Sequence, residues 1–150
     1  MKVISGGQTG VDRGALDAAI AQGLPHGGTC PRGRRAEDGH IPETYELKEH
    51  SSEKYPPRTV KNVCDADATL VLVSQPRVSG GTKLTVKIAR DRGKPWLLVH
   101  MRDEHVERVA RWISTIQPGV LNVAGPRESK HPGIQVQARD FLRRVFSRIS

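Results

Sequence analysis

Apolar residues along the chain keep two rhythms, short unbroken runs and stripes spaced three to four residues apart, and the two alternate. The runs are Lys2-Val3-Ile4, Ala68-Thr69-Leu70-Val71-Leu72-Val73, Trp96-Leu97-Leu98-Val99 and Val120-Leu121-Asn122-Val123. Runs of this length predict strands, and the solid apolar content of 68–73 and of 96–99 predicts strands covered on both faces, as in a parallel sheet. A further short strand is predicted at 26–30. The striped segments predict helices over 10–22, 58–66, 83–91 and 104–116, and a last one from about residue 133. In that last helix Ile134, Ala138, Phe141, Leu142, Val145 and Ile149 keep helical spacing. Gly23 with Pro25, and Gly93-Lys94-Pro95, supply stop signals. Residues 31–57 are rich in Pro, Gly and charge and carry little periodicity, a long connection of the kind that often holds function. Strand and helix alternate without an internal repeat. The prediction is an α/β protein, a three-layer αβα sandwich with a mainly parallel sheet, formed by residues 1–150 as one domain.

Composition narrows the setting. There are two cysteines, Cys30 and Cys64, with no CxxC, and six histidines with no metal-ligand spacing such as HExxH. No apolar run approaches the roughly 18 residues of a membrane span. A reducing cytoplasm is the expected compartment. Lys and Arg number 24 against 16 Asp and Glu, a net charge of +8. That surplus suits an anionic partner. Half of it falls in residues 127–148, where six basic residues (Arg127, Lys130, Arg139, Arg143, Arg144, Arg148) face two acidic ones.

Candidate chemistry sits at two glycine turns. Ser5-Gly6-Gly7-Gln8-Thr9-Gly10 joins the first strand to the first helix, and Ser79-Gly80-Gly81-Thr82 follows the strand at 68–73. A helix N-terminus presents unpaired N–H groups and a partial positive charge, so each turn is either an anion cradle or simply a tight connection. Neither matches a stock phosphate motif: Gly10 is followed by Val11-Asp12, not Lys-Ser/Thr, and Ser5 stands where a dinucleotide fingerprint needs glycine. Thr9-x-x-Asp12 fits a capping box, which makes Asp12 a helix cap before a catalytic base. Arg32, Arg34 and Arg35 lie beside Glu37-Asp38. They either clamp a ligand phosphate or pair with those acids.

The segments "ISGGQTGVDRGALDAA", "GGTCPRGRRAEDG", "IPETYEL", "YPPRTVKNVCDADATLVL" and "SGGTKLT" resemble the molybdenum cofactor carrier family. That family is a single-domain branch of a Rossmann-like superfamily that also holds the YpsA-like proteins and the Lonely Guy phosphoribohydrolases. The resemblance implies a Rossmann-like fold with a pocket for molybdenum cofactor, a phosphorylated pterin, or a related nucleotide-like ligand. It implies Gly6, Gly7, Gln8 and Thr9 along one side, Arg32 and Arg34 at the entrance, and Gly80, Gly81 and Thr82 along the other. It also implies a homo-oligomer assembled through the last helices, with molybdoenzymes as recipients of the cofactor.

One departure bears on activity. The Lonely Guy hydrolases carry PGGxGTxxE, whose glutamate engages the ribose. Here the stretch reads Ser79-Gly80-Gly81-Thr82-Lys83-Leu84-Thr85-Val86-Lys87, with no glutamate before Arg90-Asp91. A hydrolase must stabilise the charge that develops at the sugar, so a binding or carrier protein is expected before a nucleotide phosphoribohydrolase. Nucleic-acid binding is the third reading. It is weakened by only six aromatic residues and by the lack of a basic run interleaved with them.

Overall fold

The computed structural model describes residues 1–149 apart from 77 and 79, and Tyr55 through its backbone alone. Ser79 of the predicted second turn therefore lies outside the described residues.

The strand β1 (Lys2–Ile4) leads into α1 (Val11–Ala21), followed by the two-residue strands β2 (His26–Gly27), β3 (Thr29–Cys30), β4 (Arg35–Ala36), β5 (Gly39–His40) and β6 (Lys48–Glu49). Then come α2 (Tyr55–Asp65), β7 (Ala68–Val73), α3 (Gly80–Asp91) and β8 (Trp96–His100). A 3₁₀ turn at Asp103–His105, α4 (Val106–Ile116), β9 (Val120–Ala124) and α5 (Ile134–Phe146) complete the order. Five strands form one parallel sheet in the order β2-β1-β9-β7-β8.

The two-residue period of β7 divides the helices into two layers. All six of its residues are buried. Ala68, Leu70 and Leu72 belong to the core that also holds apolar residues of α1, α4 and α5. Val71 and Val73 point to the opposite face, the side of α2 and α3, which pack on each other. The result is the expected three-layer, Rossmann-like sandwich. Helices α1 and α5 approach closely because Gly14 and Ala138 meet there. A Cβ at Gly14 would stand 2.5 Å from the Gln135 carbonyl oxygen and 2.8 Å from Ala138 Cβ.

Counted from β9, through α5 and then from β1 onward, the sheet reads 3-2-1-4-5, the doubly wound order. The last strand in sequence thus occupies the position of a first strand. The strand order reverses between β9 and β7.

Three boundaries and the burial of one strand differ from the sequence expectation. The strand expected at 26–30 breaks at Gly28, whose φ is +124° and whose Cβ would fall 2.0 Å from the Ser5 carbonyl oxygen. Its first half pairs with β1 and its second with β6. Helix α2 starts at Tyr55, not 58, because Pro56 and Pro57 sit in its first turn, where no N–H has an intrahelical partner. Helix α3 starts at Gly80, not 83. Strand β8, at the edge of the sheet, is only partly covered: Val99 is buried, but Trp96 is 38% exposed. Within 31–57, β4 and β5 form a small hairpin and β6 joins β3.

Among the described residues, no helix is long and apolar enough to cross a membrane.

Candidate functional site

The β1–α1 turn is built by its own side chains. Ser5 Oγ donates to the Asp12 carbonyl at 2.9 Å and accepts the Gly7 N–H at 3.3 Å. Asp12 Oδ2 accepts the Gln8 N–H at 3.3 Å. Gly10, at φ +87°, is the N-cap of α1, and no side chain caps the helix there. Asp12 therefore reaches back to the turn, but the capping box from Thr9 does not form. Thr9 Oγ1 is taken by the Glu37 carboxylate and by the Glu128 N–H. Gly10 is needed because a Cβ there would lie 2.3 Å from the Pro126 carbonyl oxygen, where the β9–α5 loop crosses the turn.

A cleft of about 330 Å³ opens at the carboxyl ends of the strands, where the strand order reverses and doubly wound sheets bind ligands. Gly6, Gln8 and Asp12 line it from the first turn, and Gly80, Gly81 and Thr82 from the start of α3. Arg58, Thr59 and Asn62 of α2 line it as well. The fourth wall is the end of β9 and the loop beyond it, Asn122 to Arg127 with Lys130. Asn62 is fixed by paired bonds to Thr29, Oδ1 accepting the N–H and Nδ2 donating to the carbonyl, both at 2.9 Å.

Charge in the cleft is concentrated on a few groups. Asp12 is its one carboxylate among the described residues, and Arg58 Nη1 lies 3.5 Å from Asp12 Oδ2. Burial pushes the Asp12 carboxyl above its ordinary range, opposed by Arg58, the Gln8 N–H, Arg127 and Arg13. Gly6 must be glycine for Arg58, since a Cβ would stand 1.7 Å from Arg58 Nη1. At Gly80 and Gly81 a Cβ would meet nothing within 4 Å among the described residues. Their backbone faces open space.

The structure thus brings Gly6, Gln8, Gly80, Gly81 and Thr82 together and leaves four expected site residues outside the cleft lining. Gly7 has φ +71° and a Cβ position 2.3 Å from Leu47 Cδ1, so it shapes the contact with the 41–47 loop. Thr9 is in the Glu37 network. Arg32 is exposed, and its Nη2 donates to Glu53 at 2.6 Å. Arg34, at φ +55°, gives its guanidinium to the carbonyls of Ile41, Pro42 and Tyr45 at 3.1, 2.7 and 2.8 Å.

Glu37 and Asp38 are also occupied structurally. Asp38 binds Arg13 through both guanidinium nitrogens, at 2.5 and 2.8 Å. In the basic carboxyl-terminal segment, Arg139, Arg144 and Arg148 pair with Asp140, Asp103 and Glu107, whereas Arg127 and Lys130 line the cleft. Sequence reasoning missed Arg58, Asn122, Arg127 and Lys130 as site residues. The usable signal was Gly125-Pro126 following a strand, a third strand-end turn, but its relevance depends on β9 lying at the centre of the sheet. Among the described residues, no group of three or more His, Cys, Asp and Glu could hold a metal ion.

The fold agrees with the comparisons with known proteins. The crystal structure of a "Putative molybdenum carrier protein" from Syntrophus aciditrophicus SB superposes with a TM-score of 0.88 at 43% sequence identity, over 96% of this chain and 93% of that one. No curated protein matches the chain significantly. The profile of the circularly permutated YpsA SLOG family matches residues 3–146, and a doubly wound sheet whose first position is filled by its last strand is what a permutation produces. The chain belongs to the circularly permutated YpsA SLOG family.

Proposed function

We propose that residues 1–150 form one ligand-binding domain that carries molybdenum cofactor or a related phosphorylated pterin. The observation that carries this reading is the cleft itself. Helix α3 opens on it with two glycines facing open space, while Arg58, Arg127 and Lys130 line its other walls. Backbone N–H groups at a helix start and basic side chains suit a phosphate. About 330 Å³ lies at the lower end of the roughly 300–1,000 Å³ of small-molecule sites. In this reading Arg58, Arg127 and Lys130 perform the anion-holding part that the family resemblance gave to Arg32 and Arg34. The 43%-identical neighbour's name supports molybdenum as cargo. A homo-oligomer delivering cofactor to molybdoenzymes completes the proposal.

The test is storage of molybdenum cofactor in air with and without the protein, followed by reconstitution of an apo-molybdoenzyme. Retained reconstituting power with the wild type, lost in Arg127→Ala/Lys130→Ala, is the expected result. Equal decay with and without the protein removes the carrier reading.

Asp12 favours a second reading, nucleotide phosphoribohydrolase, because it alone puts a carboxylate in the cleft among the described residues. Steady release of free base from nucleoside monophosphates, abolished by Asp12→Asn, would install it. The expected result is no release.

A further inference from the structure

Gln8 is 2% exposed and lines the cleft. Its amide orientation is fixed, since Nε2 donates to the Arg35 carbonyl at 2.9 Å and only an NH₂ can do so. That places Oε1 on the other side, buried and without a hydrogen-bond partner among the described residues. A buried carbonyl oxygen left unpaired is destabilising, and such groups in native proteins call for an explanation. One turn along α1, Asp12 also lines the cleft. Its Oδ2 takes the Gln8 N–H and faces Arg58, which leaves acceptor capacity on a carboxylate with about four lone-pair sites. The β1–α1 side of the cleft therefore offers hydrogen-bond acceptors on two side chains with the Arg58 guanidinium beside them, and Arg127, Lys130 and the start of α3 line the cleft elsewhere.

Resting on the binding reading of this cleft, we propose that Gln8 Oε1 and Asp12 read the adjacent N–H groups of a 2-amino-4-oxopyrimidine ring, the edge shared by pterins and guanine. Such a ring presents a ring N–H next to an exocyclic NH₂, two donors side by side. Adenine presents its exocyclic NH₂ beside a ring nitrogen that accepts, and that nitrogen would face an acceptor. The ligand then lies with its ring on the β1–α1 turn and its phosphate toward α3, Arg127 and Lys130. Gln8 acts as a specificity-determining residue.

Calorimetric titration of the full chain with neopterin monophosphate, GMP, AMP and ribose 5-phosphate tests this. The wild type should bind at least one of the first two at least about tenfold more tightly than AMP, the size expected for one such hydrogen bond. Neopterin monophosphate alone would mark a pterin ligand, GMP alone a nucleotide, and either supports the ring assignment. Gln8→Leu should remove the preference and leave AMP and ribose 5-phosphate within about twofold. Asp12→Asn keeps an oxygen for the Gln8 N–H but adds a donor, and should lower the same preference should Gln8→Leu fail to fold. AMP bound as tightly as both ring ligands, or equal losses for all four compounds in the variants, would overturn the proposal. Ring preference without cofactor protection would remove the carrier reading alone. Protection without ring preference would remove this one alone.

Discussion

At the scale of single residues, chemically similar positions have opposite work. Arg32 and Arg34 are two residues apart, yet one is solvent-exposed and the other tethers the 41–47 loop through backbone carbonyls. A hydrogen bond from a charged group contributes about 1.5–3 kcal/mol. Arg34→Ala should therefore lower unfolding free energy by about 3 kcal/mol or more, measured by urea denaturation, while Arg32→Ala leaves the midpoint close to wild type. The same contrast holds for the glycines. Gly81→Ala puts a methyl into open space in the first turn of α3 and should hold or raise stability by up to about 1 kcal/mol, while narrowing the cleft and weakening ligand binding. Gly6→Ala must displace Arg58 from beside the buried Asp12, and should cost about 1–3 kcal/mol. A Gly6→Ala protein as stable as the wild type would show that Arg58 needs no room there.

At the scale of elements, the β4–β5 hairpin is tied to the first turn and to the β9–α5 loop by one side chain. Glu37 accepts from Thr9 Oγ1, from the Ser129 N–H at 3.1 Å and from Ser129 Oγ at 2.5 Å. Glu128 then accepts the Gly133 and Gln135 N–H groups, so the same loop caps α5. Burial by itself would raise the Glu37 carboxyl, but the bonds from Ser129 and Thr9 hold it below its ordinary range. A carboxyl with a lowered folded pKa stabilises above its unfolded pKa, about 4.3, and loses that contribution as pH falls through the folded value. Wild type minus Glu37→Gln stability should thus be largest near pH 6–7 and shrink below about pH 4. Solvent screening of this exposed pair keeps it to about 1 kcal/mol at most. A difference that stays constant from pH 7 to pH 3 would assign the tie to hydrogen-bonding shape alone.

These elements also show what the sequence made legible. β7, α4 and α5 follow from periodicity because their burial pattern is local: six apolar-compatible residues in a row, or Val106, Val109, Ala110 and Ile113 on one stripe. The break at Gly28 depends on the Ser5 carbonyl, 23 positions away, and no local pattern contains it. The cleft was half legible. Gly6, Gln8 and Gly80 to Thr82 follow from strand-to-helix turns, whereas Arg58 and Arg127 enter only because α2 and β9 are brought beside them. Arg34 misled for the converse reason. Its neighbours in sequence suggest a phosphate clamp, but its guanidinium goes to carbonyls seven to thirteen residues onward and to Glu43.

At the scale of the molecule, the sheet order separates spatial design from chain order. β9 pairs with β1 through Val3 opposite Leu121 and with β7 through Leu70 opposite Val123, so the final strand supplies the centre of the sheet. Met1 and Ile149 both pack against the same core. If side-chain packing and strand register fix this arrangement, the covalent order is free to change. A chain opened between Gln117 and Pro118, with residues 150 and 1 joined by a short Gly-Ser linker, would begin on β9 and run 1-2-3-4-5 across the doubly wound sheet. At the opened position Gln117 is exposed and holds a left-handed φ of +52° after α4, Pro118 is buried, and the nearby Val120 N–H is anchored to Asp67 Oδ2 at 2.8 Å. The permuted protein should unfold cooperatively, give a far-ultraviolet circular dichroism spectrum matching the parent, and bind the proposed phosphorylated ligand within a few-fold of the parent, because the cleft residues keep their neighbours in space. Circular dichroism and denaturant titration read the first two outcomes, and calorimetry the third. A folded permutant that has lost the ligand would show that the intact α4–β9 connection holds Asn122 to Arg127 in place, and an unfolded one that β9 needs that connection to enter the sheet.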